Sequence, residues 1–127
     1  MHKKCTLKKH ILIAEDHPES LLLLEVILKD IAGCTFETAS DGQEAVDKVR
    51  KRKFDLIFMD IRMPVLNGYE ATRKIRQADP DVPIIALTAH VMPHVKPKCL
   101  ECGMNDFLPK PYSIDKLTAL LELWTKN

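Results

Sequence analysis

Five times along the chain a short apolar run gives way to a segment whose apolar residues recur at helical spacing. The runs are HILIAED (10–16), TFETAS (35–40), FDLIFMD (54–60), PIIALT (83–88) and DFLP (106–109), each too short for an ordinary helix and therefore read as a strand. They alternate with SLLLLEVILKDIAG (20–33), with Gly33 as its natural stop, and GQEAVDKVRKR (42–52), where Ala45, Val46 and Val49 form one stripe. GYEATRKIRQ (68–77), KPKCLECG (96–103) and SIDKLTALLELWTK (113–126) follow, and Ser113 suits the N-cap of the last. Strands alternating with helices of this size imply right-handed crossovers. The expected fold is α/β, an open, doubly wound, five-stranded parallel sheet with helices on both faces. Ligands of such sheets bind outside the carboxyl ends of the strands, near the point where strand order reverses.

That rule directs attention to the strand ends. Glu15 and Asp16 close the first strand, Asp60 the third and Thr88 the fourth, while Lys110 follows the fifth. All five should project over one edge. Singly each has a bland reading, since a strand-end Asp commonly caps a turn and a Thr or Lys there is commonly solvated. Together they carry chemistry. Three crowded carboxylates repel, so at neutral pH one must take a proton or a cation must sit among them. Oxygen donors without His or Cys suit a hard ion, and a shallow site that keeps several waters suits Mg²⁺ better than Ca²⁺. Such a cation would neutralise an incoming phosphoryl group, with Lys110 adding positive charge, Thr88 a hydroxyl donor, and a carboxylate serving as nucleophile. Asp60 lies centrally and is the expected nucleophile. The chain has no GxxxxGK[ST] loop and no glycine-rich kinase loop, so the phosphoryl donor must come from elsewhere.

Composition narrows the setting. A chain of 127 residues suits one domain, and 46% apolar with 29% charged residues is the balance of a soluble globular protein. No apolar run approaches the ~18 residues needed to span a membrane. MHKKCTLKKH lacks the apolar core of a secretory signal. Residues 1–9 read as a basic tail ahead of a domain at 10–127, and the expected location is cytoplasmic. Apart from the four lysines of that opening, the chain carries fifteen basic and eighteen acidic residues, which offers no concentrated basic face for nucleic acid. Cys5, Cys34, Cys99 and Cys102 are few and unevenly spaced, so free thiols are expected. The CxxC at 99–102 sits late in a helix, whereas a redox pair needs an exposed helix start and a zinc set a second pair, so it reads as packing. His90 and His94 are expected to be exposed rather than metal ligands, and Tyr69 and Trp124 to pack.

ILIAED (11–16), FMDIRMPVLNGYEATRKIR (58–76), ALTAH (86–90) and GMNDFLPKP (103–111), in that order, resemble the receiver domain of two-component signalling. The resemblance runs from Ile11 to the C-terminus and is strongest toward receivers of hybrid sensor kinases and phosphorelays. It implies a flavodoxin-like strand order 2-1-3-4-5 and a phosphoryl group taken onto Asp60 from the phosphohistidine of a histidine kinase or histidine phosphotransfer domain. It also implies Mg²⁺ held by Asp16, Asp60 and the backbone carbonyl of Arg62, with Glu15 helping through water, and phosphate contacts from Thr88 and Lys110. The Lys110–Pro111 peptide would be cis. Phe107 matches the family's aromatic switch position: with Thr88 drawn toward the phosphate, Phe107 would rotate into the vacated space and reshape the face that a downstream protein reads. Its other reading is an ordinary core aromatic. Phe lacks the hydroxyl of a Tyr, so packing alone would hold the inward state. Arg62 and His90, each two residues beyond a site residue, are either exposed side chains at the pocket mouth or groups that set the lifetime of the phosphoryl group by controlling water. Pro93 and Pro97 depart from the family's clean fourth helix, which should begin near Pro97 after a loop.

Two other classes compete. Phosphatases with a strand-end Asp nucleophile place a second Asp two residues on, where this chain has Arg62. A phospho-independent interaction module of the same fold typically loses one or more of the five site residues, and here all are present. The expected function is a phosphorylation-controlled switch or relay whose only chemistry is self-catalysed phosphotransfer and hydrolysis. It would touch neither nucleic acid nor membrane. No output domain is expected within these residues, which leaves open a stand-alone receiver or part of a hybrid kinase.

Overall fold

The computed structural model describes residues 9–31, 33–89 and 93–125. Its elements are β1 (Lys9–Ala14), α1 (Pro18–Lys29), β2 (Cys34–Ala39), α2 (Gly42–Lys51), β3 (Leu56–Asp60), α3 (Gly68–Ala78), β4 (Ile84–Thr88), α4 (Val95–Cys102), β5 (Asp106–Pro109) and α5 (Ile114–Thr125). The sheet has five strands in the order β2-β1-β3-β4-β5, all paired in parallel. The expected architecture and strand order are both met.

The continuous apolar runs follow from double burial. Ile11, Ile13, Leu56, Phe58, Ile85 and Leu87 face a core closed by α1 and α5, while Leu12, Ala14, Ile57, Met59, Ile84 and Ala86 face one closed by α2, α3 and α4. Alternate residues thus serve opposite cores, and no position along the middle of the sheet is left for a polar side chain. β2 lies at the edge, which accounts for its mixed sequence TFETA.

The starts of α2, α3 and α5 are fixed by side chains. Asp41 accepts from the Glu44 amide at 2.7 Å, Asn67 and Glu70 form a reciprocal capping box, and Ser113 Oγ accepts from the Lys116 amide at 3.2 Å. α4 begins at Val95, which puts Pro97 in its first turn and Pro93 in the turn before, as proline requires. Cys99 and Cys102 are free, buried thiols within the α2–α4 core, and burial raises the pKa of both. Tyr69 packs on the same core beneath the Lys98 ammonium, 4.7 Å from its ring centroid. Trp124 packs on the other core, and its indole N–H donates to Asp106 at 3.1 Å.

Some boundaries move. β1 begins at Lys9, one residue inside the expected tail, and residues 1–8, with Cys5, lie outside the described residues. β1 ends at Ala14, so Glu15 and Asp16 stand in the following loop rather than on the strand; Pro18 opens α1 directly after them. α1 stops at Lys29, four residues before Gly33. The chain must return to place Cys34 opposite Lys9, and Gly33 serves that turn with φ 82° while its carbonyl accepts from Lys9 N–H at 3.1 Å. β3 begins at Leu56, two residues later than expected, and Phe54 before it stacks on His10, ring centroids 5.1 Å apart.

Among the described residues no helix is long and apolar enough to cross a membrane. On the buried face of α3 the Thr72 hydroxyl has no hydrogen-bond partner. Replacing it with methyl, Thr72→Val, should therefore raise the unfolding free energy by about 1 kcal/mol, read from urea midpoints at unchanged slope.

Candidate functional site

At the carboxyl edge of the sheet lies a cleft of about 920 Å³ whose walls include Asp16, Asp60, Arg62, Thr88 and Lys110. Asp60 is the last residue of β3 and only 5% exposed. Its position is set by the loop that follows. Gly68 donates its N–H to the Ile61 carbonyl at 2.8 Å, and a Cβ at Gly68 would overlap the Asp60 carbonyl oxygen. Only glycine lets the start of α3 close on the strand end this tightly. The Arg62 amide then donates to Asp60 Oδ1 at 3.0 Å, and the Lys110 ammonium reaches Oδ2 at 3.2 Å.

Glu15 lies beneath Asp60 with no exposure at all. Oε1 accepts from the Tyr112 hydroxyl at 2.8 Å and lies 3.1 Å from Lys110 Nζ; Oε2 accepts from Lys110 at 3.2 Å and from the His17 amide at 3.2 Å. Asp16 is exposed at the mouth, and one oxygen each from Glu15, Asp16 and Asp60 can gather within 4.8 Å. Three carboxylates with neither thiol nor imidazole form a donor set for a hard divalent ion. Burial pushes the Asp60 carboxyl up to about 7, reinforced by Glu15 and opposed by Lys110 and the Arg62 amide. Burial acts on Glu15 in the same sense, but hydrogen bonds with Asp60, Tyr112 and Lys110 outweigh it and hold that carboxyl low. Without a cation the crowding is thus relieved by a proton on Asp60, with Glu15 ionised.

Thr88 closes β4 and is 6% exposed; its carbonyl accepts from the Lys110 amide at 2.8 Å, which joins the ends of β4 and β5. The Lys110–Pro111 peptide is cis. The five residues at the strand ends therefore surround one site. Arg62 is exposed on its wall, and His90 lies outside the described residues. Phe107 is away from this cleft. It is half-buried against the α2–α4 core, with the Lys96 and Lys116 ammonium groups 5.7 and 5.5 Å from its ring centroid. Sequence reasoning missed Tyr112, whose only signal was an aromatic with a hydroxyl two residues beyond Lys110. It also missed His94 and Lys98, which extend the cleft toward α4.

A model of the response regulator receiver domain matches residues 11–122. The chain belongs to the response regulator receiver family. The transcription factor SKN7 of Saccharomyces cerevisiae is 40% identical over 124 residues, 96% of this chain and 20% of that protein. The sensor protein EvgS of Escherichia coli K12 is 42% identical over 114 residues, 90% of this chain and 9% of that protein. This receiver spans a fifth or less of the length of these curated relatives. Among solved structures, the receiver domain of the sensor histidine kinase PA1611 from Pseudomonas aeruginosa PAO1, with a magnesium ion coordinated in its active site cleft, superposes with TM-score 0.87 at 39% identity, covering 94% of this chain and 98% of that one. The receiver domain of the Saccharomyces cerevisiae response regulator Ssk1, co-crystallised with the histidine phosphotransfer protein Ypd1, gives TM-score 0.88 at 33% identity over 96% and 92% of the two chains.

The raised Asp60 carboxyl has a consequence for stability. Its folded value lies above the ordinary 3.8, so its contribution is fully present below that pH and is lost as pH rises through about 7. Asp60→Asn never ionises and escapes the loss. In chelator-containing buffer its thermal midpoint should exceed that of the unmodified receiver by more at pH 8 than at pH 5. An equal difference at both pH values would remove the assigned cause.

Proposed function

We propose that this receiver accepts a phosphoryl group on Asp60 from a phosphohistidine of a histidine kinase or histidine phosphotransfer protein and acts as a switch or relay in two-component signalling. The observation that carries the reading is the Lys110 ammonium held between Asp60 and Glu15, with Asp16 and Thr88 at the same edge. Asp60, Asp16 and the Arg62 carbonyl would hold Mg²⁺, with Glu15 acting through water, and the bound ion would neutralise charge on the transferring phosphoryl oxygens. The PA1611 receiver supports that choice of ion, and the Ssk1–Ypd1 pair supports that kind of donor.

In the transfer an Asp60 oxygen forms the new O–P bond while the donor P–N bond breaks and its electron pair returns to the imidazole. Lys110 moves its donors from the carboxylates to the phosphoryl oxygens, and the Thr88 hydroxyl donates to the same group. Arg62, and His90 with it, would govern the approach of hydrolytic water. The domain, whose first strand begins at Lys9, would carry out self-catalysed transfer and hydrolysis and would act inside the cell.

Phe107 would carry the signal outward. It pairs in register with Ala86, which shares a sheet face with Thr88 two residues on. The small Ala86 leaves an aromatic ring beside it room to turn as Thr88 is drawn to the phosphoryl group.

The first test is intact-protein mass after incubation with acetyl phosphate, with and without Mg²⁺, beside Asp60→Asn. A Mg²⁺-dependent gain of one phosphoryl group that the variant lacks is the expected result. No gain under any condition would replace this reading with a phospho-independent interaction module. For the switch, Phe107→Ala should abolish phosphorylation-induced chemical-shift changes in α4 and α5 while leaving those around Asp60 in place. Undiminished changes in both helices would reduce Phe107 to a core aromatic.

A further inference from the structure

The Tyr112 ring is built into the core under α1 and α5 and is 8% exposed, so the position of its hydroxyl is set by packing. That hydroxyl meets Glu15 Oε1 at 2.8 Å, between residues 97 apart in sequence. Burial, with the neighbouring Glu15 carboxylate, raises the phenol pKa, so the group remains a donor. Glu15 is fully buried, and a carboxyl group in such a place must keep its hydrogen bonds. Tyr112, Lys110 and the His17 amide donate to it, and the Asp60 carboxyl lies against it as well. Lys110 also pairs with Asp60, at 3.2 Å.

These contacts set a conflict that the site must resolve. For Lys110 to turn toward phosphoryl oxygens it must loosen its hold on Glu15. Were Lys110 the sole side-chain partner, leaving would strand a buried charge and the ammonium would stay where it is. We propose that Tyr112 is a positioning residue of the phosphoryl-transfer site, its hydroxyl holding Glu15 in place so that Lys110 is free to move to the incoming group. The inference rests on Asp60 being the phosphoacceptor. Tyr112 exchanges no atom in the step: with acetyl phosphate, the donor P–O bond breaks, its electron pair leaves on acetate, and the Asp60 O–P bond forms. The same division of labour favours the divalent ion, because a cation entering among the carboxylates also requires Lys110 to yield.

Tyr112→Phe removes one oxygen and leaves the ring that packs. Phosphoryl uptake from acetyl phosphate at saturating Mg²⁺ should slow about tenfold, equivalent to ~1.4 kcal/mol and within the range for a hydrogen bond to a charged group. The calorimetric Mg²⁺ dissociation constant should rise about threefold, a smaller share of the same hydrogen bond. Both effects should vanish when Tyr112→Phe is made in a Glu15→Gln background, which a merely structural role would not produce. Unchanged uptake and unchanged Mg²⁺ binding in Tyr112→Phe would overturn the inference. So would equal losses in both backgrounds, which would show that the hydroxyl does not act through Glu15. If the unmodified receiver gains no phosphoryl group, the proposed function fails, and the Mg²⁺ titrations across the same four proteins still decide whether Tyr112 acts through Glu15.

Discussion

The Lys110 ammonium lies 3.1 Å from a Glu15 oxygen and 3.2 Å from an Asp60 oxygen, and the site depends on that shared charge. Two carboxylates at 0% and 5% exposure, close enough to gather on one ion, could not both remain ionised unaided. The ammonium offsets part of the cost and a proton on Asp60 the rest. The arrangement is held but not satisfied, because a divalent ion would offer the three carboxyl groups more charge than one ammonium does. The rest of the fold serves to keep these groups from drifting apart. β1, β3 and β4 are buried on both faces, so their ends have little freedom, and β5 adds Lys110 through its register with β4.

Much of this was legible in the sequence because a parallel sheet converts order along the chain into position in space. Every strand runs the same way, so residues at strand ends must share an edge, and Asp60, Thr88 and Lys110 could be grouped without any distance being known. Apolar runs of four residues, each ending in a polar side chain, marked β3 and β4, and Ser113 marked the start of the last helix. What stayed hidden depends on contacts between distant segments. The early end of α1 is forced by the register of Cys34 against Lys9, which no local pattern in DIAG reveals. Nothing near Tyr112 in the sequence marks it as a site residue, because its partner stands 97 residues away. The two ammonium groups that flank Phe107 come from α4 and α5, and nothing in either helix alone announces the pair.

The loop between β3 and α3 shows where backbone conformation serves the site. Gly68 closes against Asp60, and a Cβ at Gly42 would overlap the Leu66 carbonyl, so two glycines allow the loop to lie against the strand end and the start of α2. Within it Val65 adopts φ 69°, a left-handed conformation that a β-branched residue resists at a cost of roughly 1–2 kcal/mol. Val65 is also 73% exposed, so packing of its side chain does not explain the conformation. The strain is tolerated because the Gly68–Ile61 hydrogen bond and the Asn67 capping box fix both sides of the turn.

The contact between Glu15 and Lys110 spans 95 residues and draws on the first and last strands of the sheet. Asp60 is synthesised near the middle of the chain, long before its ammonium partner emerges from the ribosome. An unfinished chain ending before β5 has a carboxylate at the right place in sequence but neither Lys110 nor Tyr112 beside it. The acidic cluster and the ammonium that holds it together therefore come into being only once β5 has docked on β4.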